Sequence, residues 1–430
     1  MRYPAVLSLL GLALLLGACN DEGNTTEASG PNPNMPAPQR GLLPTMKIAE
    51  PAAWGDQKPT VPEGYSVSAI ATDLQIPRQT LVLPNGDILV SEGKGGTEAQ
   101  LKPKDAIASL VKARGTSALK GGNRLTLLRD ADGDGVYELK AVFADHLNAP
   151  FGLAYADGHV YVADQDALLR FDYAPGQTKT SGPPTKVTDL PAQVNHHWTK
   201  SLSISPDGRW LYVGIGSNSN ITERGMEVEI DRARVWQIDA QSGAYKPYAT
   251  GLRNPAGLKV QPSTGKLWAV VNERDELGPD LVPDYLTSVR EGAFYGWPYS
   301  YWGQNVDSRV QPQDPAMVAK AIKPDYSLGS HVAPLGIDFS VPAMGDKYAD
   351  GVFVGEHGSW NRENPVGYKV VFIPFSNGLP AGAPVDFATG FRGSDGKTRG
   401  RPVGVTVDPH GALIIADDLS NTVWRVTRDR

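Results

Sequence analysis

The chain has 430 residues, with 41 Lys and Arg against 47 Asp and Glu, for a formal net charge of −6. No Lys/Arg cluster interleaves with aromatic residues, which argues against a nucleic-acid partner. The single cysteine excludes a disulfide framework, a thiolate zinc site and an iron–sulfur cluster, since each needs several thiols. Glycine and proline (47 and 35 residues) make roughly a fifth of the chain, above the ~12% average and below the ~25–30% of low-complexity chains. The sequence is therefore that of a turn-rich globular protein.

The N-terminus carries an apolar run from Ala5 to Leu16 after Arg2. A dozen residues are too few for the ~30 Å hydrocarbon core and suit the apolar region of an export signal. The stretch Leu16-Gly17-Ala18-Cys19 resembles a bacterial lipobox, with Cys19 as the lipidated first residue of the mature chain. Asn20 in the next place favours the outer membrane, facing the periplasm. Ordinary secretion with a coincidental cysteine is the alternative. Residues 1–18 are expected to be the signal peptide and 19–46, rich in Asn, Glu, Thr, Ser, Pro and Gly, a flexible tether.

From 47 to 430 one unit recurs, a glycine-containing turn followed by a short alternating apolar strand. It appears at Pro84-Asn85-Gly86, Asp157-Gly158, Pro206-Asp207-Gly208, Gly265, Asp350-Gly351 and Gly411. A second element precedes several of these units: Pro150-Phe151-Gly152, Pro255-Ala256-Gly257, Pro334-Leu335-Gly336 and Pro402-Val403-Gly404. Hairpin units repeated at this scale predict an all-β fold, a six-bladed β-propeller with long inter-strand loops. About sixty residues per blade exceed the ~40–50 of compact repeats, so the surplus is assigned to loops. A pair of β-sandwiches would explain the strands but not the matching Pro-x-Gly elements.

Polar residues just before each Pro-x-Gly step are expected to gather at one mouth of the central channel. Asn148, Arg253, Asn254, His331 and Arg401 hold such places. Two guanidinium groups among them point to an anionic ligand. His196 and His197 stand before another inner-strand pattern. Their residue type allows a general base, with Lys200 disfavouring the protonated form, but equally a pair bonded to loop carbonyls or two metal ligands.

In this order, His197 with Pro206-Asp207-Gly208, Gly251-Leu252-Arg253-Asn254-Pro255-Ala256-Gly257-Leu258, Asn272-Glu273-Arg274-Asp275 and Tyr295-Gly296-Trp297-Pro298 resemble the soluble quinoprotein sugar dehydrogenases. Segment Gly355-Glu356-His357-Gly358-Ser359-Trp360-Asn361-Arg362 brings the resemblance nearest the L-sorbosone dehydrogenase-like branch. The resemblance implies pyrroloquinoline quinone and calcium as cofactors, an aldose, sugar aldehyde or related polyol as substrate, and an unidentified electron acceptor. It implies His197 as the base, Arg253 as a catalytic and cofactor-binding cation, and Asn254 and Arg401 as further cofactor contacts. Calcium is implied at the main-chain carbonyls of Glu273 and Arg274. Three departures stand out: Ser217 where the glucose enzymes carry aspartate, Ala256 where they carry glutamine, and no clear match for a lysine of the penultimate blade, which Arg362 would replace. Glucose specificity does not carry over to a site lacking those hydrogen bonds.

Two other features remain. Asp130, Asp132 and Asp134, with Glu138, begin like a calcium loop, but Ala141 stands where an EF-hand needs glutamate; the alternatives are a shorter calcium loop or a self-bonded hairpin turn. Trp297, Tyr299, Tyr301 and Trp302 read either as a sugar-stacking rim or as packing. The competing functions are a metal-dependent lactonase using Glu92, Asn254 and Asp417 or Asp418, and a non-catalytic propeller that binds envelope components.

Overall fold

A computed structural model describes residues 28–39, 46–96 and 103–429. The expected signal peptide and Cys19 lie outside the described residues. Within these residues, six antiparallel sheets of four or five strands form the blades of a propeller. The innermost strands, blades I to VI in chain order, are Pro77–Val82, Gly152–Ala156, Lys200–Ile204, Pro255–Val260, Pro334–Phe339 and Pro402–Val407. Each lies against the next, and blade VI returns to blade I, closing the ring. All six turn-and-strand units of the sequence are the hairpins from the innermost to the second strand. The turns at Gly86 and Gly208 sit at φ 88° and 71°, a region glycine enters without steric cost.

Closure is completed by the chain's own ends. Tyr65–Ala71 pairs antiparallel with Thr422–Arg428 and supplies the outer strand of blade VI. A separate apolar cluster fills each of the six junctions between blades, for example Val90, Leu128, Ile414 and Val423 between VI and I. Part of the segment expected as a tether packs on blade IV: Ser29 and Gly30 pair with Leu328 and Ser327, and Gln39 N–H donates to the Leu277 carbonyl at 2.8 Å.

The Pro-x-Gly element has a structural cause. The ladder between first and second strands shifts register between Pro255 and Gly257, between Pro334 and Gly336, and between Pro402 and Val405. A bulge of this kind inserts one unpaired residue and re-aims its side chain. The x residues Phe151, Ala256, Leu335 and Val403 pack with one another in a single axial cluster, flanked by Trp198. Each glycine lets the next blade's backbone come close. A Cβ on Gly152 would stand 2.5 Å from the Lys200 carbonyl oxygen, and one on Gly404 would stand 2.6 Å from that of Arg78. Blade III has Ser201 instead, whose hydroxyl donates to the Pro255 carbonyl at 2.6 Å. Below this cluster the channel widens into a cavity of about 200 Å³ lined by Thr80, Ser203, Asp338 and Thr406 among others.

Among the described residues, no helix is long and apolar enough to cross a membrane. The surplus length sits largely in connections between second and third strands: 93–123 in blade I, with helix Pro103–Arg114, 216–233 in III, 272–282 in IV and 357–368 in V. Replacing Gly336 by alanine would drive a Cβ into the Val403 carbonyl and the Val405 amide, both backbone and unable to step aside. Gly336→Ala is expected to destabilise by about 1–3 kcal/mol, the range for overpacking. Gly182→Ala, with nothing within 4 Å of its new Cβ, is the control whose chemical-denaturation midpoint stays near that of the parent chain.

Candidate active site

His197 leaves the loop before blade III with its Nδ1 2.6 Å from the Ser217 carbonyl oxygen. Nδ1 therefore carries the proton and donates it, leaving Nε2 as the acceptor. Burial, then the Arg253 guanidinium, then His196 hold the imidazole well below its usual range, so it stays neutral. Lys200 contributes differently than the sequence implied. Fully buried, it donates to Asn195 Oδ1 at 3.0 Å and the Trp198 carbonyl at 2.9 Å, which fixes the histidine loop from behind. Gly216 keeps room beside the ring; a Cβ there would stand 2.5 Å from the His197 Cβ and collide with Asn254 Oδ1.

Asn254 is 6% exposed, and its Oδ1 is buried with no hydrogen-bond partner. Leaving such an acceptor unmet costs about 1–3 kcal/mol, so this atom marks a place where a ligand donor or ordered water belongs. The neighbouring Arg253 donates from Nη1 to the Glu273 carbonyl at 2.7 Å and from Nη2 to Asn220 Oδ1 at 3.0 Å, and lies 3.6 Å from Asp275. Asp275 and His331 face each other at 3.4 Å, and Asn361 Nδ2 donates to Asp275 at 2.8 Å. Burial alone would raise the Asp275 carboxyl and lower the His331 imidazole. Their mutual contact reverses both shifts, aided by Arg253 at Asp275 and by Asp284 at His331, and favours the ion pair.

The opposite wall belongs to blades V, VI and I. Arg401 sets its three guanidinium nitrogens on the carbonyls of His357, Gly115 and Gly358, and none on a carboxylate among the described residues. Arg78 bonds Asp418 and covers the rings of Phe151 and Trp198 at 5.4 and 5.3 Å. His357 Nε2 lies 2.9 Å from Asp418 Oδ1. Burial and Arg401 push His357 down to about 4, while His357 and Arg78 bring the buried Asp418 down to about 2.

The remaining predicted residues fall elsewhere. Glu273 is buried with Oε1 unpartnered. The Arg274 side chain is fully buried between Glu273, Asp307 and the carbonyls of Pro298 and Ser300, a structural clamp. Arg362 bonds the Pro279 carbonyl and Asp280, at a groove between blades IV and V. Asn148 is bound to Asp166 at 2.7 Å and its amide to Asp164, tying loops together. Tyr301 and Trp302 lie in the blade III–IV core and Trp297 donates to the Asn220 carbonyl at 2.9 Å, so these three pack. Asp130, Asp132, Asp134 and Glu138 bring ligand oxygens within 4.8 Å of one another on the outer hairpin of blade I, and each accepts a backbone amide of its own turn.

Two working parts of the mouth escaped sequence reasoning. Arg78 follows Pro77 as the cations and amides elsewhere precede a proline, so its offset of two residues hid it. The Ser217 carbonyl acts through its backbone, which no residue type announces.

A TrAA12-like family model matches residues 59–283 and 302–429. An uncharacterised protein of Borreliella burgdorferi is 28% identical over 66% of this chain and 76% of its own length. The pyrroloquinoline quinone-dependent pyranose dehydrogenase of Coprinopsis cinerea is 24% identical over 73% of this chain, which spans only 44% of that enzyme. The pyrroloquinoline quinone-dependent sugar dehydrogenase of Hypocrea jecorina is 22% identical over 98% of this chain and 96% of its own. Among solved structures, the calcium structure of a Trichoderma reesei family AA12 enzyme superposes with a TM-score of 0.69 at 20% identity, covering 91% of this chain and 98% of that one. The holo quinone domain of the Coprinopsis enzyme superposes at 0.68 and 21%, over 86% and 97%. With both the fold and the family model extending over most of its length, the chain belongs to the TrAA12-like family.

Proposed function

We propose that this propeller is an exported oxidoreductase that uses pyrroloquinoline quinone to oxidise a sugar, sugar aldehyde or related polyol, with His197 as the base. The observation that carries the reading is a neutral histidine, its Nδ1 locked on a carbonyl, beside an unsatisfied Asn254 Oδ1 in a mouth ringed by Arg253, Arg401 and Arg78. The fit to the quinone rests on those donors: among the described residues Arg401 has no carboxylate partner, and a tricarboxylate supplies one. The chemistry the quinone contributes when bound is acceptance of a hydride from the substrate carbon. His197 Nε2 removes the substrate hydroxyl proton, and the Ser217 carbonyl stabilises the resulting imidazolium through Nδ1–H. Arg253 opposes that charge, which keeps the base free of a proton before substrate arrives.

Calcium is proposed on the main-chain oxygens of Glu273 and Arg274, with the unpartnered Glu273 Oε1 as a further oxygen of the hard type this ion takes. The Glu273 carbonyl already accepts Arg253 at 2.7 Å, so a cation there competes with the guanidinium. Of the ligands of the lactonase alternative, Asn254 Oδ1 is open, but the carboxylates are engaged, Asp418 by Arg78 and His357. Glu92 accepts from Arg124, Thr126 and the Gln75 amide, and Asp417 from Ser420, Trp424 and the Arg401 amide. The lipobox-like Leu16–Cys19 stretch supports a further proposal, anchoring by lipid at Cys19 in a bacterial envelope.

Three measurements check this reading. In quinone-free protein, the His197 ring followed by carbon-13 NMR should stay neutral as pH falls through 6.5, and Arg253→Met should move its titration upward; an ordinary His197 titration in the parent chain would sink the base assignment. Titration with pyrroloquinoline quinone and calcium, followed by dye reduction on aldoses and sugar aldehydes, should give stoichiometric binding and turnover. His197→Ala is expected to lose about 100- to 10,000-fold in turnover while keeping the quinone. Arg78→Met should weaken quinone binding by roughly 10- to 150-fold, the equivalent of ~1.5–3 kcal/mol for a charged contact. Finally, calorimetry on quinone-free protein should find calcium bound more tightly by Arg253→Met than by the parent, because the Glu273 oxygen is released.

A further inference from the structure

Between blades IV and V, one residue along the chain from the Asn361 that braces Asp275, lies a groove of about 470 Å³. That volume falls in the ~300–1,000 Å³ range of small-molecule sites. Three buried polar groups line it: Glu356, Arg362 and Ser330, 3%, 2% and 4% exposed. Glu356 Oε2, Arg362 Nε and Ser330 Oγ have no hydrogen-bond partner. Each such atom costs about 1–3 kcal/mol if it stays unmet, so three in one cavity call for a partner that the described chain does not supply. The charges balance within the groove. Arg362 pairs with Asp280 at 2.9 Å and Lys369 with Asp386 at 2.6 Å. Burial raises the Glu356 carboxyl to about 8, which leaves it uncharged at neutral pH and able both to donate and to accept. Leu328, Val332 and Val366 give the groove an apolar face, and Ala28 and Ser29 line it as well.

We propose that this groove is a second binding site, separate from the mouth, for an uncharged polyhydroxylated molecule of monosaccharide size, held by Glu356, Arg362 and Ser330. A balanced site gives no preference to anions or cations, and the mixture of donors with an apolar wall matches the hydroxyls and C–H face of a sugar ring. The inference stands whether or not the mouth carries out the proposed oxidation.

The test is a methyl-NMR titration of the full, quinone-free chain with D-glucose, using gluconate and glucosamine as charged counterparts. Saturable shifts of the Leu328, Val332 and Val366 methyls are expected with glucose and at least tenfold weaker ones with either charged sugar. Ser330→Ala and Glu356→Leu should each weaken the glucose response tenfold or more, while Glu356→Gln, which keeps a donor and an acceptor, retains it. Ser330→Ala, the smaller change, carries the test if Glu356→Leu does not fold. Methyls in the groove that stay still while those of Leu335 and Val403 at the axis move, equal binding of the charged sugars, or an unchanged response in Ser330→Ala would overturn the proposal and leave a groove occupied by water.

Discussion

Everything at the mouth depends on backbone meeting backbone around the axis. The innermost strands of six blades converge there, and a side chain at the glycine of each Pro-x-Gly step would hold neighbouring strands apart. Because the bulge at that step also turns the x residue to the axis, one short element does two things. It permits close approach, and it plugs the channel with Phe151, Ala256, Leu335 and Val403. The residues one to three places earlier are then fixed in direction by the same geometry. That is why Arg253 and Asn254, Arg401 and His331 need no separate device to reach the mouth.

Convergence of this kind carries an electrostatic cost, since cations are brought together out of water. The fold meets it with carbonyl oxygens and with two carboxylates, the half-buried Asp275 and the buried Asp418, each tied to a histidine. Asp275 works with His331 and Arg253, while Asp418 works with His357 and Arg78. The two histidines fare differently. Asp275 raises His331 against its burial, whereas burial and then Arg401 force His357 down. Among the described residues His197 pairs with no carboxylate; it meets the Ser217 carbonyl and a nearby guanidinium, and is held in its neutral form. Burial lowers all three rings, and only at His331 does a carboxylate neighbour reverse the sign.

The architecture was legible in the sequence because its signals are local and repeated. Six glycine turns each preceded a strand, and every one proved to be the first hairpin of a blade. The mouth was legible where a polar residue stood at a fixed offset from proline, as with Asn254 and Arg401. It was not legible where the chemistry lies in the backbone, as at Ser217, or where the offset changes, as at Arg78. Arg362 sits in a segment where the repeat gives no register, and its partners place it in the IV–V groove, so residue type could not locate it. The aromatic run from Trp297 to Trp302 failed to discriminate for another reason: packing and stacking select the same side chains, and only burial separates them.

The axial plug also constrains traffic through the molecule. With Phe151, Ala256, Leu335 and Val403 in contact, the cavity of mixed lining beneath them is separated from the mouth by an apolar layer. A ligand of the mouth therefore has its way in on the loop side. The long connections of blades I, III, IV and V rise on that side, and several of them bond directly into the mouth: Gly115 to Arg401, Asn220 to Arg253, Asp275 to Asn361. His197, Arg253 and Arg401 themselves stand on the segments that lead into the innermost strands, so the strands supply the frame and the loops supply the side chains of the mouth.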